Sequence, residues 1–121
     1  MPTFTIDTRI KPAVRMTQRG KWHDSQAQEY LNSKMAIGFQ LRYQMSQGGV
    51  AMLPAQTPLV VTAVIEYAGG FHYCDLSNVL KSLEDSANRI VYPDDRWIDE
   101  IHIARRRGAQ DAATLRVEVL G

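Results

Sequence analysis

Residues 75–96 read DLSNVLKSLEDSANRIVYPDDR, and the way this stretch folds decides how the rest of the chain is arranged. Leu76, Val79, Leu80, Leu83, Ala87 and Ile90 recur at three- and four-residue steps, the pattern of a short amphipathic helix with one buried side. The helix is expected from about Leu76 to Arg89, with Asp75 or Ser77 as its N-cap. Asn78, Lys81 and Asp85 share another face. IVYPDD then reads as a turn-rich connection. Carboxylates stand at both ends and in the middle: Asp75, Glu84, Asp85, Asp94 and Asp95, with Lys81 among them. Two readings are open at this point. The acids belong either to a solvated helix and polar turn, or to a set of oxygen ligands for a hard divalent cation such as Mg²⁺. Such a cation stabilises charge on a phosphoryl group and generates hydroxide from water.

Upstream, Leu59–Tyr67 (LVVTAVIEY) is rich in β-branched residues and apolar until Glu66, which predicts a central strand covered on both faces or nearly so. Gly69 and Gly70 break it. Before it, Ala27, Tyr30, Leu31, Met35, Gly38, Leu41 and Met45 form one apolar helical stripe. That helix should begin near Ser25 in a capping box with Gln28 and end at Gly48–Gly49. Its methionines suit packing, and also a dimer interface. Residues 3–9 alternate as a first strand, and residues 10–24 (IKPAVRMTQRGKWHD) read as a long loop. Trp22, near its end, either stacks on a base or sugar or packs the loop on the core.

Downstream, residues 97–104 read as a strand with Trp97, Ile101 and Ile103 on one side. RRRGAQDA is a hairpin-like loop, and TLRVEVL is an alternating strand with Leu115, Val117 and Val119 inward. The predicted fold is α/β or α+β: a single mixed sheet of about four strands with two helices, in the order β-α-β-α-β-β.

The 121 residues fit one domain, 1–121, and 45% hydrophobic content is enough for a core. No apolar run is long enough for a membrane span and no signal-peptide core opens the chain, so no membrane partner is expected. The single cysteine, Cys74, fits a reducing, cytoplasmic setting. There is no phosphate loop, dinucleotide fingerprint or serine-hydrolase elbow, and no organic cofactor is expected. His23, His72 and His102 are scattered. Net charge is only +1, but its distribution is uneven. Arg9, Lys11, Arg15, Arg19 and Lys21 come with no acid between them, and Arg105, Arg106 and Arg107 form a second basic run. Between Asp75 and Glu100 seven acids face three bases. A basic arm beside an acidic centre suits a protein that grips a polyanion and holds cations at the reacting phosphate.

The acidic stretch resembles the signature of the RusA family of endodeoxyribonucleases, the phage and prophage Holliday-junction resolvases. That family carries Asp-Leu-Asp-Asn, a Lys three residues after the Asn, an Asp on the following helix and an Asp-Asp pair after it. Here these are Asp75, Leu76, Ser77 and Asn78, then Lys81, Asp85, Asp94 and Asp95. The VYPDDRWI context and the basic segment KPAVRMTQRGKW are similar too. The resemblance implies a Mg²⁺-dependent endonuclease, with Mn²⁺ a substitute, acting as a homodimer on branched DNA in recombination and repair. It implies catalytic roles for Asp75, Lys81 and Asp95 and metal ligation by Asp75, Asp95 and Asp94. Ser77, Asn78 and Asp85 would be accessory, and Lys11, Arg15, Arg19 and Lys21 would bind DNA. Glu84 is assigned to the surface. Ser77 departs from the pattern, since the family has an acid there. Either other groups complete the site, or a subfamily works with Ser, or the chain binds DNA with little cleavage.

Overall fold

The computed structural model describes residues 2–13, 25–69 and 75–120, without the side chains of residues 25 and 26. Four strands and two helices follow in the expected order: β1 (Thr3–Ile6), α1 (Ser25–Gly48), β2 (Leu59–Tyr67), α2 (Leu76–Ala87), β3 (Ile98–Arg107) and β4 (Ala112–Val119). A 3-10 turn, Asp95–Trp97, leads into β3. The sheet order is β1-β4-β2-β3. β4 runs antiparallel to both of its neighbours, whereas β2 and β3 are parallel and joined by the α2 crossover. This is the predicted α+β arrangement of one mixed sheet and two helices.

The sheet is sealed on one face only. Leu59, Val61, Ala63, Ile65 and Tyr67 of β2 are buried, while the residues between them are half-exposed. Of the expected cover on both faces or nearly so, the structure shows one face fully buried and the other half-buried. The apolar run reflects β-branched residues on a half-open face, which β-propensity permits without full burial.

β1 stops at Ile6 rather than residue 9. Gln44 of α1 accepts from Thr5 N–H and donates to Thr5 C=O, at 2.9 and 2.6 Å, and Gln40 accepts from Asp7 N–H at 2.7 Å. Helix side chains thus take the backbone groups that a longer or inner strand would pair. In α1 the buried stripe runs through Ala27, Tyr30, Ser33, Ile37, Leu41 and Met45. Met35, expected in it, is 73% exposed, and Ile37 takes the inward place. The helix closes through Val50 N–H to Met45 C=O with Gly49 at φ 64°, as its glycines predict. The expected capping box at its start involves side chains outside the described residues.

α2 buries Val79, Leu83 and Ala87, and its Ser82 and Ser86 are buried as well. Leu76, Leu80 and Ile90 are half-buried. Ser86 Oγ donates back to Ser82 C=O at 2.8 Å, which satisfies one hydroxyl inside the helix. Gly38 brings α1 close to α2: a Cβ there would lie 3.2 Å from Ile90 Cδ1. The helix ends at Ala87, two residues before expectation. Arg89 sits at φ 65°, and its N–H bonds Tyr92 C=O at 2.7 Å, turning Val91 and Tyr92 into the core.

β3 extends through Arg107, so the three arginines lie on a strand and not in the loop. Val119, expected inward, is 41% exposed, whereas Leu115 and Val117 are buried. At Gly108, in the β3–β4 connection, a Cβ would meet the Glu66 side chain, with Oε2 at 2.5 Å.

Candidate functional site

The centre of the site is built where α2 passes the turn before β3. Lys81 and Asp85 are one helical turn apart, and Lys81 Nζ is 3.2 Å from Asp85 Oδ1. The same ammonium is 3.7 Å from Asp95 Oδ2. Asp85 is held from the other side by α1, whose Tyr30 hydroxyl donates to Asp85 Oδ2 at 2.7 Å. The hydrogen bond to Asp85 holds the Lys81 ammonium above its ordinary pKa, although partial burial opposes it; Asp85, Asp95 and Glu84 add attraction. Burial, then the carboxylate of Asp85, pushes the Tyr30 phenol far up, so it acts as a fixed neutral donor. Lys81 remains half-exposed, with its charged end available to a ligand.

Glu84, assigned to the surface, lies on α2 between Lys81 and Asp85. It is half-buried, and burial first, then the charge of Asp95, raises its carboxyl pKa. Tyr92, buried beneath, donates its hydroxyl to Glu84 C=O at 3.2 Å. The bond from Tyr30 to Asp85 and the half-burial of Glu84 are what the sequence reading missed. Tyr30 was hidden in an apolar stripe, and Glu84 follows a leucine on a helix side that spacing places near solvent.

Asp94 caps the 3-10 turn. Its Oδ1 accepts from Arg96 N–H at 2.9 Å and its Oδ2 lies 3.5 Å from Arg96 Nη2. The backbone bond, more than the arginine charge, keeps its carboxyl below the ordinary value. Asp94 therefore has a structural occupation, while Asp95 turns toward Lys81.

Asp75 stands at the N-cap of α2 but makes no side-chain capping bond. Its backbone C=O accepts from Asn78 and Val79 N–H instead. Asp75, Ser77 and Asn78 are all exposed. Ten residues of helix separate Asp75 from Asp85, a rise of about 15 Å, and the ion pairs that the structure shows join Lys81 to Asp85 and Asp95. Among the described residues, no three His, Cys, Asp or Glu side chains form a metal cage. The carboxylates of Asp85 and Asp95 are nonetheless hard oxygen donors, the ligand type that a hard cation takes.

The expected DNA-binding residues Arg15, Arg19 and Lys21 lie outside the described residues, as do Trp22, His23, His72 and Cys74. Lys11 is described and half-buried. Its N–H donates to Ser33 Oγ at 3.3 Å, and Ala13 N–H bonds Asn78 C=O at 3.0 Å, so the segment after β1 lies along both helices. Arg9 is engaged in the fold. It pairs with Asp111 at 3.6 Å, donates to Gly69 C=O and lies 4.7 Å over the Tyr67 ring. His102 is exposed and pairs with Glu100 at 2.8 Å. No helix among the described residues is long and apolar enough to cross a membrane.

No curated protein matches the chain. A family model described as Endodeoxyribonuclease RusA matches residues 9–119, from Arg9 beyond β1 to the end of β4. The match covers nearly the whole chain and includes both helices, the Lys81 centre and three of the four strands. The chain belongs to the RusA endodeoxyribonuclease family.

Proposed function

We propose that this protein is a Mg²⁺-dependent endonuclease that cuts phosphodiester bonds in branched DNA, resolving Holliday junctions as a homodimer. Family membership supports the nuclease class. The observation that carries the reading to a site is the Lys81 ammonium held between Asp85 and Asp95. A buried tyrosine fixes that arrangement, which is more than surface charge requires. Mg²⁺, or Mn²⁺ in its place, would be held by Asp95 with Asp94 and Asp75. When bound, the cation supplies a polarised phosphoryl oxygen and an acidified water. Lys81 would neutralise charge on the scissile phosphate or the departing oxygen. Asp85 would orient Lys81. Lys11, with Arg15, Arg19 and Lys21, would grip the phosphate backbone.

The test is cleavage of a synthetic four-way junction with Mg²⁺ or Mn²⁺. Wild type should cut, and Asp95→Asn should be at least about a hundredfold slower. Equal activity of the two, or inactivity of both with every metal, sinks the proposal. Ser77 favours a second reading, a weak or inactive dimer that binds structured DNA. Its side chain is exposed at the position where the family has an acid. Calorimetric titration with Mg²⁺ separates the readings, since a pure binder shows no specific metal uptake. Ser77→Asp should raise activity where the site is only weakened.

A further inference from the structure

We propose that β3 is the seam of the homodimer, pairing antiparallel with β3 of a second copy about a twofold axis at Ile103. The inference rests on the dimer in the function proposed above and adds the surface that makes it. β3 is an outer strand of the sheet, ten residues long, with Glu100, Ile101, His102 and Arg106 exposed. A long exposed edge is a template for another strand. The opposite edge, β1, has four residues, and Gln44 and Gln40 of α1 already occupy backbone groups there.

Charge selects both the partner and the direction. The acids Asp99 and Glu100 open β3, and Arg105, Arg106 and Arg107 close it. A shift in register at Val60 leaves Asp99 as a bulge, so even pairing with β2 starts at Glu100. With Ile103 opposite itself, Glu100 stands opposite Arg106 on both sides of the axis, and His102 stands opposite Ala104. A parallel pair in register would instead set like charges together. Arg106 already neighbours Glu66 on β2. The seam therefore extends an alternating row across the sheet: Glu66, Arg106, then Glu100 of the partner subunit. Such cross-strand pairs favour the matched register and penalise like charges.

The other exposed surface, Met35, Phe39 and Tyr43 on α1, borders a groove of about 510 Å³ whose lining includes Lys34 and Arg42. That lining also holds Asp85, which Lys81 and Tyr30 already engage, and this face is the control.

The test is sedimentation velocity on the full chain, with circular dichroism to verify folding. Glu100→Arg and Arg106→Glu should each weaken the dimer about tenfold or more, because like charges then meet twice. Mixing the two variants should re-form a dimer, since every pair across that seam is again opposite in sign. The double exchange in one chain should also restore it. A monomeric wild type overturns the proposal, as does a dimer indifferent to both reversals, a mixture that stays monomeric, or a dimer lost only with Phe39→Ser. Junction cleavage is read separately. A chain that dimerises through β3 yet never cuts DNA sinks the nuclease reading and leaves the seam standing.

Discussion

The hydroxyl of Tyr30 donates to the carboxylate of Asp85 at 2.7 Å, joining two helices whose residues here are 55 positions apart in the chain. The bond is partly buried, and its acceptor is charged. Tyr30→Phe keeps the ring and removes only the donor. It should cost about 1.5–3 kcal/mol in urea unfolding, the range for hydrogen bonds to charged groups. Junction cleavage should fall as well, because Asp85 loses the contact that fixes it beside Lys81. Unchanged stability would show that the bond has no energetic role.

Lys81 should separate activity from stability. Its side chain is 56% exposed, and surface ion pairs contribute about 0–1 kcal/mol. Lys81→Gln should leave the thermal midpoint nearly unchanged while reducing cleavage by about a hundredfold or more. A large loss of stability with retained cleavage would reverse the role assigned to it.

Glu84 sets a pH dependence of the opposite sense to an ordinary salt-bridged acid. Burial and Asp95 raise its folded-state pKa above the ordinary 4.5. A raised carboxyl binds its proton more tightly when folded than when unfolded. Its contribution is therefore fully present below about pH 4.5 and is lost as pH rises through the higher folded value. Glu84→Gln should flatten that segment of the stability profile and raise stability at neutral pH. Denaturant midpoints measured from pH 4 to 8 check the sign.

Arg9 and Lys11 are neighbours in the basic segment with different expected duties. Arg9 is bound to Asp111, Gly69 and the Tyr67 ring, so Arg9→Met should lower stability by about 1–2 kcal/mol. Lys11→Met should leave stability nearly intact and reduce the salt dependence of DNA binding by about one phosphate contact. Unfolding curves and a salt titration of junction binding distinguish the two.

The local periodicities carried most of the fold. β2, α2 and β4 lie where the β-branched run, the helical spacing and the alternation place them, because each buries one face on a common core. What local pattern missed was decided at a distance. β1 ends early because Gln40 and Gln44 reach it from α1. Met35 and Ile37 are two residues apart and so face roughly opposite sides of α1, and the buried side is the one that carries Tyr30, Ile37, Leu41 and Met45. Val91 and Tyr92 looked like part of a turn, yet the positive φ of Arg89 folds them into the core. In the site, the i,i+4 relation of Lys81 and Asp85 was legible on the helix. The approach of Asp95 and the hold of Tyr30 depend on how α2 packs against its neighbours.

β4 lies between β1 and β2, with Thr3 opposite Arg116 and Val61 opposite Val117. β1 therefore finds its partner only after more than a hundred further residues have been made. Until then β2 and β3 can associate through the α2 crossover, but β1 has no strand to join. Assembly of the sheet ends with insertion of β4, a late step of high contact order that slows folding relative to the helices. Chains that stall or are cleaved before β4 would expose two unpaired strands at once, the state most prone to aggregate.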